Sequence, residues 1–144
     1  MNLRITLPLA ALAIAATAAS PQQGEGGRPY SVAMTGAAER PGPGDPDGSG
    51  TATFRVNAGQ GRVCYTLTVA NIDPATAAHI HRAPSNAPGP VVVGLTPPTS
   101  GSSEGCADVT RALAQELIRD PGAFYVNVHN AAFPAGAVRG QLSR

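Results

Sequence analysis

The 144-residue sequence has no tryptophan and no lysine, three tyrosines and three phenylalanines, and charged residues at 13% of its positions. So few rings supply a carbohydrate- or base-stacking platform poorly. Ten cations, all arginine, stand against nine carboxylates for a net charge of +1. Without a basic excess or a basic stripe, an electrostatic nucleic-acid binder is excluded. Apolar runs are short, the longest being residues 7–16, so no segment reaches the roughly 20 apolar residues of a membrane span. Glu39 and Glu104 stand isolated, and no carboxylate pair supports glycosidase chemistry. No G-x-S-x-G elbow occurs, and the glycine-rich stretches lack the strand-to-helix setting of a phosphate cradle. Asp45-Pro46-Asp47-Gly48 resembles the start of a calcium loop but lacks its later ligands, and reads as a turn. A hydrolase has no residues to rest on, no catalytic residue is assigned, and a non-catalytic protein is expected.

What the sequence does contain begins with a targeting segment. Arg4 is the sole charge of residues 1–20, an apolar run follows, and Ala16-Thr17-Ala18 closes it with small residues, the layout of a secretory signal peptide. Cleavage near residues 18–20 leaves a mature chain of about 125 residues, exported to the periplasm or beyond. That length suits a single domain with a real core. In an oxidising compartment Cys64 and Cys106 read as a structural disulfide rather than as free thiols. The loop it would close spans about 43 residues, for which chain entropy gives roughly 4 kcal/mol.

Residues 21–29 read as a flexible leader, and residues 30–144 as the folded domain. From there, period-two alternation dominates. Strands are expected at 31–35, 51–56, 62–69, 77–82, 91–95, 104–109, 124–129 and 137–142, separated by Gly, Pro and Ser. One helix interrupts them, with Thr110 as N-cap, Leu113, Leu117 and Ile118 as its apolar side, and Asp120-Pro121-Gly122 as its stop. About seven or eight short strands with one short helix indicate an all-β fold, an antiparallel Greek-key sandwich or barrel.

The chain has three histidines. His79 and His81 sit two apart on an expected strand, so their rings share a face, roughly 7 Å apart at Cα, while Ile80 points to the core. In 124–129, Phe124, Val126 and Val128 take the core face and leave Tyr125, Asn127 and His129 on the other. If the two strands are neighbours, three imidazoles converge on one ion. Imidazole is largely neutral at pH 7 and suits copper, zinc and nickel, and three nitrogen donors with an open position are a common metal constellation. The alternative is that His79 and His81 anchor loops and His129 merely ends a strand.

Several runs carry a family resemblance. Ala78-His79-Ile80-His81-Arg82-Ala83 with Gly89-Pro90-Val91-Val92-Val93, and Phe124-Tyr125-Val126-Asn127-Val128-His129-Asn130 followed by residues 133–142, resemble the signature of the chordin-type (CHRD) domain family. Ala38-Glu39-Arg40-Pro41 is a loose version of that family's Glu-x-Pro stretch. The resemblance spans roughly residues 30–142 and implies a β-sandwich in an exported protein, with little said about activity. More distantly, the His-x-His strand, the later Val-x-His-type segment and an Arg near the C-terminus are similar to copper-zinc superoxide dismutases. That similarity implies His79, His81 and His129 as copper ligands, with Arg139 near an open position as an anion-attracting group; Asn127 is a further candidate for a supporting role. No fourth histidine bridges two metals, and the zinc ligands have no counterparts.

Two readings follow. One is an exported binding or structural module for a protein or small-molecule ligand. The other is a mononuclear copper protein, with zinc as second choice, for copper handling or weak dismutase-like redox chemistry. Its affinity is expected to weaken as the imidazoles protonate below about pH 6.5. Edge strands leave the oligomeric state open.

Overall fold

The computed structural model describes residues 26–144, so the expected secretory signal lies outside the described residues. Strands β1 (Arg28–Thr35), β2 (Ser49–Asn57) and β3 (Arg62–Ala70) alternate between inside and outside, as the pleat requires. Tyr30, Val32 and Met34, then Ala52, Phe54 and Val56, then Val63, Tyr65 and Leu67 are buried. β1 starts earlier than its alternation indicates, because Arg28 and Pro29 pair with Val56 and Arg55. These two residues, expected in the leader, belong to the sheet. The register of β1 with β8 lies at Thr35, the far end of the strand, so the start of β1 has the edge-like setting in which proline is tolerated.

The chain continues through β4 (Ala75–Arg82), β5 (Val91–Leu95), β6 (Ser102–Asp108), α1 (Arg111–Arg119), β7 (Phe124–Asn130) and β8 (Val138–Gln141). All registered pairs are antiparallel, in the order β5-β4-β7-β8-β1-β2-β3-β6. Three hairpin-linked groups are thus joined by crossovers after β3, β5 and β6, which is Greek-key connectivity. The sheet curls until β5 and β6 meet, and side chains bridge the seam. Thr96 N–H donates to the Tyr65 hydroxyl at 2.8 Å, and Ser103 Oγ donates to the Thr96 carbonyl at 2.7 Å. The result is the expected all-β architecture, closed nearly into a barrel around Phe54, Leu67, Ile80, Phe124, Val126 and Leu142.

Helix α1 carries the chain from β6 to β7. Thr110 Oγ1 accepts from the Leu113 amide at 3.1 Å, which satisfies one of the orphan donors of the first turn. Ala114 and Leu117 are buried, and the Tyr30 hydroxyl donates to the Leu117 carbonyl at 3.0 Å. Cys64 and Cys106 stand directly opposite in the β3–β6 register and form the expected disulfide. It fastens β6, the outermost strand on that side of the hydrogen-bonded order, to its neighbour. No described helix is long and apolar enough to cross a membrane.

Candidate functional site

The β4–β7 pair is the strand pairing on which the histidines depend. Its register sets Ala77 opposite His129, His79 opposite Asn127 and His81 opposite Tyr125. Ala78, Ile80, Val126 and Val128 fill the core from the inner face. The two-residue period therefore puts His79, His81, Tyr125, Asn127 and His129 together on the outer face. One ring nitrogen from each histidine lies within 4.8 Å of the other two, so the cluster can hold a metal ion.

Hydrogen bonds assign the tautomers of two rings. His81 Nδ1 lies 2.8 Å from the Gly89 carbonyl, and His129 Nδ1 lies 3.0 Å from the Pro134 carbonyl. A carbonyl only accepts, so both Nδ1 atoms carry hydrogen and both Nε2 atoms present lone pairs when the rings are neutral. His81 is 8% exposed, and its Nε2 is buried without a hydrogen-bond partner. His129 Nε2 faces His79 Nδ1 at 3.1 Å and Asn127 Oδ1 at 3.0 Å. A His79 Nδ1–H would donate to the His129 lone pair, and a metal cation would meet the lone pairs of all three rings. Burial, then the neighbouring imidazoles His129 and His81, holds His79 below the usual histidine range. Burial likewise lowers His129, against the pull of the Pro134 carbonyl. Both are therefore neutral donors at pH 7.

Arg139 is 1% exposed, with Nη1 donating to the Ala87 carbonyl at 3.0 Å and Nη2 to the Pro84 carbonyl at 2.9 Å. Its guanidinium carbon sits 3.4 Å from the centroid of the Tyr125 ring, and Tyr125 stacks on His81 from its other neighbourhood. The Arg139 guanidinium is thus engaged by loop carbonyls and an aromatic face. Asn127 is buried beside His129.

Glu39, read from sequence as isolated, is buried next to the Asn127 side chain and Arg139. Burial pushes its carboxyl up to about 7, against the opposing pull of Arg139 and of a hydrogen bond to the Asn127 side chain. It packs under Gly136, where a Cβ would fall 2.2 Å from Glu39 Oε1 and where φ is +145°. Glu39 lies in the loop after β1, far from the histidines in sequence, and only its place in the Glu-x-Pro stretch marked it. Tyr125 and Gly89 are the other contributors that spacing alone did not single out. A Cβ on Gly89 would fall 2.0 Å from the Arg82 carbonyl oxygen, so only glycine brings this backbone close enough to serve His81.

Comparison with known families gives one match: the CHRD domain profile aligns with residues 30–142. No curated protein and no solved structure matches. The aligned span contains all three histidines, both cysteines and Arg139. A CHRD domain with a disulfide is compatible with an extracellular protein.

Proposed function

The chain belongs to the CHRD domain family, and from that membership we propose an exported, non-catalytic binding module that carries one mononuclear metal site made by His79, His81 and His129. Copper is the first choice and zinc the second, since a three-imidazole donor set suits both. The observation that carries the reading is the buried, unpartnered His81 Nε2, a lone pair that costs free energy unless something positive meets it. The neutral state of His79 and His129 supports it as well. Bound copper would supply a Lewis-acidic centre capable of one-electron redox change. The chain's own part is to hold the donors: Gly89 and Pro134 hold the Nδ1 protons of His81 and His129, so that each Nε2 carries the lone pair a metal would take.

Copper handling follows from this site more directly than dismutase-like turnover does, because the Arg139 guanidinium is engaged by the Ala87 and Pro84 carbonyls. The test is a copper(II) titration of the untagged mature protein, followed by electron paramagnetic resonance and thermal unfolding, with zinc in parallel. One equivalent should bind with nitrogen hyperfine structure. Free copper at 100 times the dissociation constant should add about 2.7 kcal/mol of stability. Weak multi-site binding that leaves the melting curve unchanged overturns the metal site and leaves a binding module whose histidines anchor loops.

A further inference from the structure

Loop 83–90 connects β4 to β5 and covers the outer face beside His81. Besides the Arg82 amide, which donates to the Pro90 carbonyl at 3.0 Å, side chains hold it. Arg139 takes the carbonyls of Pro84 and Ala87, and Gln141 Nε2 donates to the Ala83 carbonyl at 2.8 Å. The Gly89 amide donates to the Tyr125 hydroxyl at 3.3 Å, and the Gly89 carbonyl accepts from His81 Nδ1. Arg139 also lies against the Tyr125 ring, whose plane is within 5° of the His81 ring. Two routes therefore run from one guanidinium to one imidazole, the first through the loop backbone and the second through the stacked rings.

We infer that Arg139 is a positioning residue for His81: by clamping loop 83–90 and lying on Tyr125, it fixes the His81 ring in the orientation and tautomer that leave Nε2 free. The importance of this for metal binding rests on the three-histidine reading above; the positioning itself does not. Guanidinium is the group suited to the task. Its planar fork reaches two carbonyls at once and lies flat on an aromatic face, whereas an ammonium is a compact point charge. Ring orientation set from behind the ligand is a recognised lever on metal affinity.

The experiment uses Arg139→Lys and Arg139→Gln in the full mature chain, with nitrogen-15 resonances of the histidine rings recorded without metal. In the wild type, His81 should show a protonated Nδ1 with slow solvent exchange. In both variants that proton should exchange at least tenfold faster and the tautomers should mix, while the His129 Nδ1 proton, held by Pro134 on another loop, keeps its wild-type rate. Copper affinity should fall by about 10–100-fold, the usual cost of losing a supporting contact. Should neither variant fold, Tyr125→Leu removes the surface on which Arg139 lies together with the Gly89 bond to the hydroxyl, and is judged by the same His81 signal. A folded variant in which the His81 proton exchanges at the wild-type rate overturns the proposal, whatever its melting temperature. A wild type that binds no metal, but whose His81 proton loosens on substitution of Arg139, sinks the metal site and leaves the positioning role standing.

Discussion

His81 and Tyr125 face one another across the β4–β7 ladder with ring centroids 4.7 Å apart and planes within 5° of parallel. The stack makes His81 more than a donor. Its ring has one face against an aromatic surface, its Nδ1 bonded to a loop carbonyl, and its Nε2 directed to the cluster. Substituting it removes an imidazole of the cluster together with the stack on Tyr125 and the bond to loop 83–90, whereas substituting His129 removes an imidazole bonded to a different loop.

His81→Ala and His129→Ala should each reduce copper affinity by more than about 100-fold, beyond the 10–100-fold typical of supporting residues. Isothermal titration and resonance spectra check this. If either variant keeps wild-type affinity, the three rings do not share an ion. His81→Ala should also lower the unfolding temperature more than His129→Ala does, because it alone loses the Tyr125 stack.

The buried Glu39 carboxyl makes stability depend on pH with a definite sign. Below its ordinary value of 4.5 both folded and unfolded chains are protonated there, and the group contributes nothing. Between 4.5 and about 7 the unfolded chain is ionised while the folded chain keeps its proton, so rising pH favours unfolding. The loss sums to about 3 kcal/mol and levels off above about pH 8. His79 and His129 act oppositely: their lowered folded values cost stability as pH falls below 6.5. The Glu39 contribution is therefore read as a difference. Glu39→Gln should gain stability relative to the wild type as pH rises from 5 to 8, in chemical denaturation at each pH. Parallel curves would mean that Glu39 is ionised throughout.

Gly89→Ala tests how tightly loop 83–90 is fitted. The new methyl group meets the Arg82 carbonyl oxygen at 2.0 Å and the Ala83 Cβ at 2.8 Å, so the backbone must move and the His81 bond with it. Destabilisation of about 1–3 kcal/mol is expected, accompanied by weaker copper binding. A variant with unchanged stability and affinity would show that the loop is free to shift.

Reduction of Cys64–Cys106 should lower stability by about 2–4 kcal/mol, equivalent to roughly 5–15 °C for a domain of this size. Differential scanning calorimetry with and without reductant measures it. Copper affinity at the histidine cluster, which lies on the β4–β7 pair, should be kept at temperatures where the reduced protein remains folded.

Most of the fold was legible because most strands alternate cleanly. Phe54 and Val56, Val63 and Leu67, and Val126 and Val128 each mark one inner face, and the Asp120-Pro121-Gly122 stop ends α1 where expected. The shared face of His79 and His81 follows from their spacing alone. The arrival of His129 beside them does not, because it depends on β4 pairing with β7 across 50 residues of sequence. Nor does the fate of Arg139 and Glu39. Near a cluster of imidazoles an arginine reads as a guide for anions, and only the course of loop 83–90 reveals that carbonyls have claimed it. Glu39 reaches Asn127 and Arg139 through a loop whose path no periodicity encodes.

The barrel seam is finished differently on its two lips. On one, β6 is riveted to β3 by a covalent bond; on the other, β5 is held by its ladder with β4 and by the packing of Val93 and Leu95, without a disulfide. Between them stand the side-chain bonds of Tyr65, Thr96 and Ser103. Breathing of the barrel will begin with β5 peeling outward, since local opening follows the weakest fastening. The peeling strand is continuous with the loop that orients His81, and the Arg139 clamp lies between the two. That clamp is thus also a firebreak, keeping the fraying of the barrel's loose lip from reaching the imidazoles.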